Sequence, residues 1–352
     1  MTTAQSLPVT PSNSVTVQST SSQTVTDIAK IGVAPVNANT IFPKAPNDLK
    51  VLTYKATGEF ADKVPAPLNY IPNMDVFEVV LSWFSNRAVQ PLWLHGPTGS
   101  GKSELLLFMA NKLGVPVSII SGSLDTRGET LFVRTESRGE NGGTTLVQVP
   151  TDIIKRYRDG GLIIIDEIDK FDSPVQSALH PLCDYKELYV EGIGLVKPHK
   201  FTKVAATANT VGEGGSMHYT NSMVVDAALR SRFCFIELPY PPAQLEFDIV
   251  SSHYPALDGE LIKSLIKVGE HVRKAFDGGA LTMPFSTRTI VSWCHSMKIM
   301  RSKSLRSSFQ FSYASSLPSD ECLAAEDLLH AVLDDDIDLP LPELIKVIHQ
   351  SN

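Results

Sequence analysis

The sequence predicts an α/β fold: a layered αβα core on a parallel sheet, organised around a phosphate-binding P-loop, with two β-hairpin insertions and a C-terminal helical lid. Three observations predict it. Gly96 to Ser103 reads GPTGSGKS and meets the pattern G-x-x-x-x-G-K-[ST] at every fixed position. Apolar runs alternate with helical patterns as far as Pro242, the signature of a parallel sheet covered on both faces. From Ala243 onward only helical periodicity remains.

Composition narrows the classes. The 352 residues are 43% hydrophobic and 20% charged with a formal net charge of -7, an ordinary globular balance whose acidity disfavours a nucleic-acid-coating protein. Cys183, Cys234, Cys294 and Cys322 are scattered without a C-x-x-C pair, which suits reduced thiols in a cytoplasmic protein rather than a zinc or disulfide framework. No apolar run approaches the roughly 20 residues of a membrane span, and the N-terminus lacks the charged-then-apolar order of a secretory signal.

Half of residues 1–26 are Ser or Thr and none is charged, so 1–48 read as a disordered tail that cannot bury enough apolar surface to offset its ordering entropy. Prolines continue to Pro72 and predict an extended strap, with the fold proper beginning near Leu68. The α/β unit is expected over 49–242 and the helical lid over 243–352. Val76 to Arg87 has the apolar spacing of a helix, and Pro91 to His95 is the buried strand a phosphate loop must follow. Gly96, Gly99 and Gly101 let the backbone turn so that N–H groups converge on phosphate oxygens. The candidate nucleotide-binding residues are Gly96, Pro97, Thr98, Gly99, Ser100, Gly101, Lys102, Ser103 and Glu104. Lys102 is suited to the β- and γ-phosphates of ATP, Ser103 to Mg²⁺, and the helix that starts there adds a partial positive charge.

Val115 to Ile120 is a second strand after the Gly114 cap. Two β-rich pieces, 131–135 and 144–149, flank the polar tip 138–143 and predict a hairpin inside what should be a helical crossover. Leu162-Ile163-Ile164-Ile165-Asp166-Glu167 is a strand buried on both faces that releases two carboxylates at its C-terminal end, where ligands bind in open α/β sheets. Asp166 is the candidate Mg²⁺ ligand with Ser103, and Glu167 the group that polarises the attacking water. Asp169 reads as a helix cap or a supporting group. A second hairpin (188–196) precedes the strand 201–208, which ends on Asn209, whose side-chain amide can sense or hold the attacking water between the γ-phosphate and Glu167. In the lid, Ser286-Thr287-Arg288 starts a helix whose Arg can fold back onto a phosphate. Asp334 to Asp338 reads as a solvated acidic turn without calcium-loop spacing.

With these residues in place the chain resembles the AAA+ ATPases, and among them the MoxR-like branch, nearest to CobS-like cobaltochelatase ATPase subunits. The stretches that carry the likeness are Val64 to Pro67, Tyr70 to Asp75, Ala206 to Gly212 and Glu246 to Val250. The chain departs from CobS at Pro97-Thr98 and in its tail. The resemblance implies a homo-oligomeric ring, usually a hexamer, that binds ATP between protomers and remodels a partner, commonly one with a von Willebrand factor A domain. It implies Arg232 as the arginine finger, with Arg230 as the close alternative, Arg288 as a second sensor, and both hairpins as insertions near a central pore. A chelatase subunit driving metal insertion and a slow nucleotide-gated scaffold are the alternative readings.

Overall fold

The computed structural model of the protein describes residues 31–86, 90–122, 126–140, 143–215, 219–300 and 303–351. Residues 1–30 of the expected tail, and Asn141 and Gly142 of the expected hairpin tip, lie outside them. The described chain opens with β1 (Ile31–Asn37) paired antiparallel to β2 (Lys50–Ala56), followed by α1 (Met74–Ser85), β3 (Leu92–His95), α2 (Lys102–Leu113) and β4 (Val117–Ser121). The expected tail through residue 48 is therefore too long, and the fold begins well before Leu68. Phe42, between the first two strands, is buried with its ring 5.1 Å from that of Phe77 on α1 and 6.2 Å from that of Phe108 on α2. The Pro- and Asn-rich punctuation hides a short apolar set that finds its partners only in the tertiary fold.

A crossover then runs through α3 (Gly128–Phe132), the hairpin β5 (Val133–Glu140) and β6 (Gly143–Pro150), and α4 (Asp152–Asp159). The hairpin register pairs Glu140 with Gly143, so the ladder runs further toward the tip than the expected 138–143 loop. After β7 (Gly161–Asp166) come α5 (Ser173–Cys183), the small hairpin β8 (Leu188–Val190) and β9 (Gly194–Val196), β10 (Thr202–Ala208), α6 (Ala227–Arg230) and β11 (Cys234–Glu237). The five core strands are parallel in the order β11-β3-β10-β7-β4. Leu162 to Ile165 and every residue of β10 are buried, as central strands covered on both faces require. Because β10 lies between β3 and β7, its C-terminal end stands between the phosphate loop and the acidic strand end.

Lys203 is an unexpected member of this core. Its ammonium is buried beneath the end of α1, donates to the Trp83 and Asn86 carbonyls at 2.8 and 2.5 Å, and lies 4.5 Å from the centroid of the Trp83 ring. Burial pulls its pKa down to about 8. The unfolded chain holds this proton up to the ordinary lysine range, so stability is gained as pH rises above 8. Lys203→Met should cost about 1–3 kcal/mol at pH 7 by orphaning the two carbonyls. In urea unfolding, the wild-type advantage over this variant should widen between pH 8 and 10.

The C-terminal helical region comprises α7 (Ala243–His253), α8 (Gly259–Asp277), α9 (Thr287–Ile299), α10 (Leu305–Ser312), α11 (Ser319–Leu333) and α12 (Leu341–Ser351). Phe285, Trp293, Phe309 and Tyr313 interlock at its centre. Asp334 and Asp338 of the acidic turn are exposed, as expected, and Arg306 donates to both carboxylate oxygens of Asp338 at 2.8 and 3.0 Å.

Candidate functional site

The loop between β3 and α2 turns on glycines with positive φ: 145° at Gly96, 74° at Gly99 and 93° at Gly101. Besides freeing the backbone, they admit close neighbours. A Cβ on Gly96 would stand 2.2 Å from the Leu238 carbonyl oxygen, and one on Gly99 would stand 2.5 Å from Cβ of Ser286, the residue that caps α9. Lys102 is buried with its ammonium folded onto the loop, donating to the Gly96 and Pro97 carbonyls at 2.9 Å each and to Asn209 Oδ1 at 3.2 Å. Burial pulls its pKa down to about 8 against the raising influence of Asp169, Glu104, Asp166 and Glu167.

Ser103 Oγ donates to Asp166 Oδ1 at 2.6 Å, and Thr207 Oγ1 on the intervening strand donates to the same oxygen. Glu167 follows in a left-handed conformation, φ 55°, with its N–H on Thr207 Oγ1 and its carboxylate 2.8 Å from Lys170 Nζ. Both members of that pair are well exposed, so water and ions compete with it effectively. Arg288 reaches from the start of α9 to Glu104 at 2.8 Å. Lys102, Ser103, Asp166, Glu167, Asn209 and Arg288 thus line one cavity of about 130 Å³.

Next to it lies a cavity of about 200 Å³, walled by Tyr70 and Ile71 of the strap, Pro239 and Pro241 of the hinge, and Ile249 and Val291 of the helical region. No local sequence pattern marks this compartment, although Tyr70 and Ile71 fall in one of the stretches that carry the family resemblance. Asp169 takes the supporting role, one of its two expected readings. It caps no helix; buried, it accepts from Thr210 Oγ1 and Ser222 Oγ at 2.9 Å each and so ties the acidic strand end to the loop that follows Asn209.

Arg232 stands apart from this group. It lines a separate cavity of about 490 Å³ with Gln90, Tyr185 and His199, and its guanidinium is held by both Asp184 oxygens at 2.7 and 3.2 Å. Arg230 Nη1 lies 3.7 Å from Glu213.

The residues at the loop fit a phosphorylated ligand with a divalent cation. Glycines open the backbone, Ser100 Oγ is buried with no partner among the described residues, and a buried ammonium rests on weak carbonyl acceptors beside a hydroxyl–carboxylate pair. Residues 91–233 match the family model described as AAA domain (dynein-related subfamily), and residues 246–332 match the CbbQ/NirQ/NorQ C-terminal model. This is an AAA+ fold. The first match spans the phosphate-loop unit and the second most of the helical region, so the chain is similar over both to AAA+ ATPases of the MoxR-like type, a class whose members are typically ATPases that commonly form rings.

The chain is also similar to uncharacterised bacterial proteins. One from Staphylococcus saprophyticus is 27% identical over 191 residues, covering 54% of this chain and 70% of that one. YojN of Bacillus subtilis is 25% identical over 205 residues, 57% of this chain and 65% of that one. Among solved structures, a likeness extends to the Thermotoga maritima RuvB Holliday junction branch migration motor, at 17% identity, a TM-score of 0.42, and coverage of 80% and 76% of the two chains. Among the described residues no helix is long and apolar enough to cross a membrane.

Proposed function

We propose that this chain binds ATP with Mg²⁺ in the two adjoining cavities and hydrolyses it within a ring of identical copies, six by family likeness, to remodel a partner protein. The observation that carries the reading is the convergence of Lys102, Ser103, Asp166, Glu167, Asn209 and Arg288 on one cavity, from three parallel strand ends and the lid.

Gly96 to Ser103 would hold the phosphates, and Tyr70 with Ile71 and the hinge prolines would enclose the base. Lys102 would exchange its carbonyl acceptors for phosphate oxygens, a stronger charge-assisted bond. Mg²⁺, held by Ser103 and Asp166, supplies neutralisation of phosphate charge when bound. Glu167, once its carboxylate leaves Lys170, would orient and polarise a water, with Asn209 fixing that water's place. Arg288 would trade Glu104 for a phosphate. The test is steady-state ATPase by the full chain. Turnover that is abolished by Glu167→Gln while ATP still binds supports the proposal; a wild type that binds no ATP overturns it.

Family likeness points to a partner protein with a von Willebrand factor A domain, in a cytoplasmic setting. The likeness to CobS over Tyr70 to Asp75 carries the narrower alternative, a chelatase-type subunit that drives metal insertion. Stimulation of the ATPase by a large chelatase subunit would bear it out, and stimulation by an unrelated von Willebrand factor A protein alone would exclude it.

A further inference from the structure

Thr98 sits in the phosphate loop with both of its backbone polar groups taken by tyrosine hydroxyls. Tyr219, from the loop that follows Asn209, accepts the Thr98 N–H at 3.3 Å. Tyr240, from the hinge between β11 and α7, donates its hydroxyl to the Thr98 carbonyl at 3.0 Å. Burial raises the Tyr240 pKa above the usual phenol range, so this hydroxyl stays a donor. Behind the ring of Tyr240, at 4.4 Å from its centroid, lies the guanidinium of Arg273 on α8.

Arg273 is itself fixed on every side. It makes a two-pronged pair with Glu246 on α7 at 2.6 and 3.0 Å, and its Nε donates to the Phe285 carbonyl at 2.7 Å. The Glu246 side chain is 1% exposed, and it also accepts from Thr287 Oγ1 at 2.6 Å. Thr287 adjoins Arg288, whose guanidinium returns to Glu104 on the helix that the phosphate loop opens. The path runs from loop to hinge and through two lid helices to the start of α9, and the exposed Arg288–Glu104 pair returns it to the first turn of α2. Ser286, pressed against Gly99, is a second point at which the lid meets the same loop.

A buried ion pair is a costly way to join helices, since well-packed apolar side chains hold them as firmly; its advantage is fixed geometry. We propose that Tyr240, Arg273 and Glu246 are positioning residues, a relay that ties the setting of the phosphate loop to the lid and so fixes where Arg288 stands. The proposal rests on the nucleotide reading for its consequence in turnover, but not for its effect on the loop.

The test separates the two. Hydrogen exchange of the full chain is followed without nucleotide, comparing a peptide over residues 96–105 with one over β7, in wild type, Tyr240→Phe and Arg273→Lys. Tyr240→Phe removes one hydroxyl and keeps the ring, so it should fold. It should speed exchange at the loop by roughly two- to tenfold, the worth of one hydrogen bond, with β7 unchanged. Arg273→Lys, which keeps a charge for Glu246 but loses the planar fork and the stacking, should do the same. With ATP, Tyr240→Phe should raise KM by a similar factor and leave kcat nearly alone. Loop exchange equal to wild type in both variants overturns the relay, even where Arg273→Lys lowers the melting temperature. A wild type that binds no ATP overturns the nucleotide reading, and the exchange result still decides the relay.

Discussion

Lys102→Ala is expected to weaken ATP binding by about 10²-fold or more, since two or more charge-assisted bonds to phosphate oxygens are lost together. The structure explains why the loss should fall on binding rather than on folding. In the free protein the ammonium gains little where it stands: burial disfavours its charge and lowers its pKa to about 8, and its acceptors are two loop carbonyls and one amide oxygen. A triphosphate would replace them with anionic oxygens in the same cradle. The truncated variant should therefore keep its melting temperature to within a few degrees while calorimetric titration with ATP goes flat. Glu167→Gln serves as the contrast, because Glu167 lies at the edge of the cavity on an exposed pair with Lys170 and should retain ATP while turnover stops. Equal affinity in wild type and Lys102→Ala would end the assignment of this loop.

What the sequence allowed one to read divides along a physical line. Lys102 and Ser103 are neighbours in a contiguous pattern, and Asp166 with Glu167 closes a run of branched apolar residues, so covalent adjacency carries those signals. The neighbourhood of Asn209 and Lys102 depends on β10 entering the sheet beside β3, a topological fact that no local window contains. Arg288 was legible because a helix start is marked by Ser286 and its capping bonds. Tyr219, Tyr240 and Arg273 were not, since each is a lone residue whose meaning comes from what tertiary packing sets against it. The pairing of β1 with β2 was hidden for a related reason. Pro35 lies inside β1, Pro43 and Pro46 stand between the two strands, and the burial of the strands comes from α1 and α2, which the local pattern does not show.

Arg232→Ala is expected to lower turnover by about 10³-fold with ATP still bound, if Arg232 supplies the finger that a neighbouring protomer's γ-phosphate needs. In the single chain Arg232 lines a cavity separate from that of Lys102, gripped by Asp184, so it is not among the groups that line its own nucleotide cavity. Action in trans follows as the proposal, with Asp184 holding the guanidinium until a phosphate competes for it. Mixing supplies the decisive measurement. Rings of Arg232→Ala alone should be inactive, as should rings of Glu167→Gln alone. Mixed rings contain some interfaces that join an intact Arg232 to an intact Glu167, and these should recover a fraction of wild-type turnover that rises and falls with the mixing ratio. No recovery at any ratio would show that both residues serve the same protomer. Normal turnover by Arg232→Ala would move the role to Arg230, whose Nε is buried with no partner among the described residues and whose hold on Glu213, at 3.7 Å, is loose enough to give up.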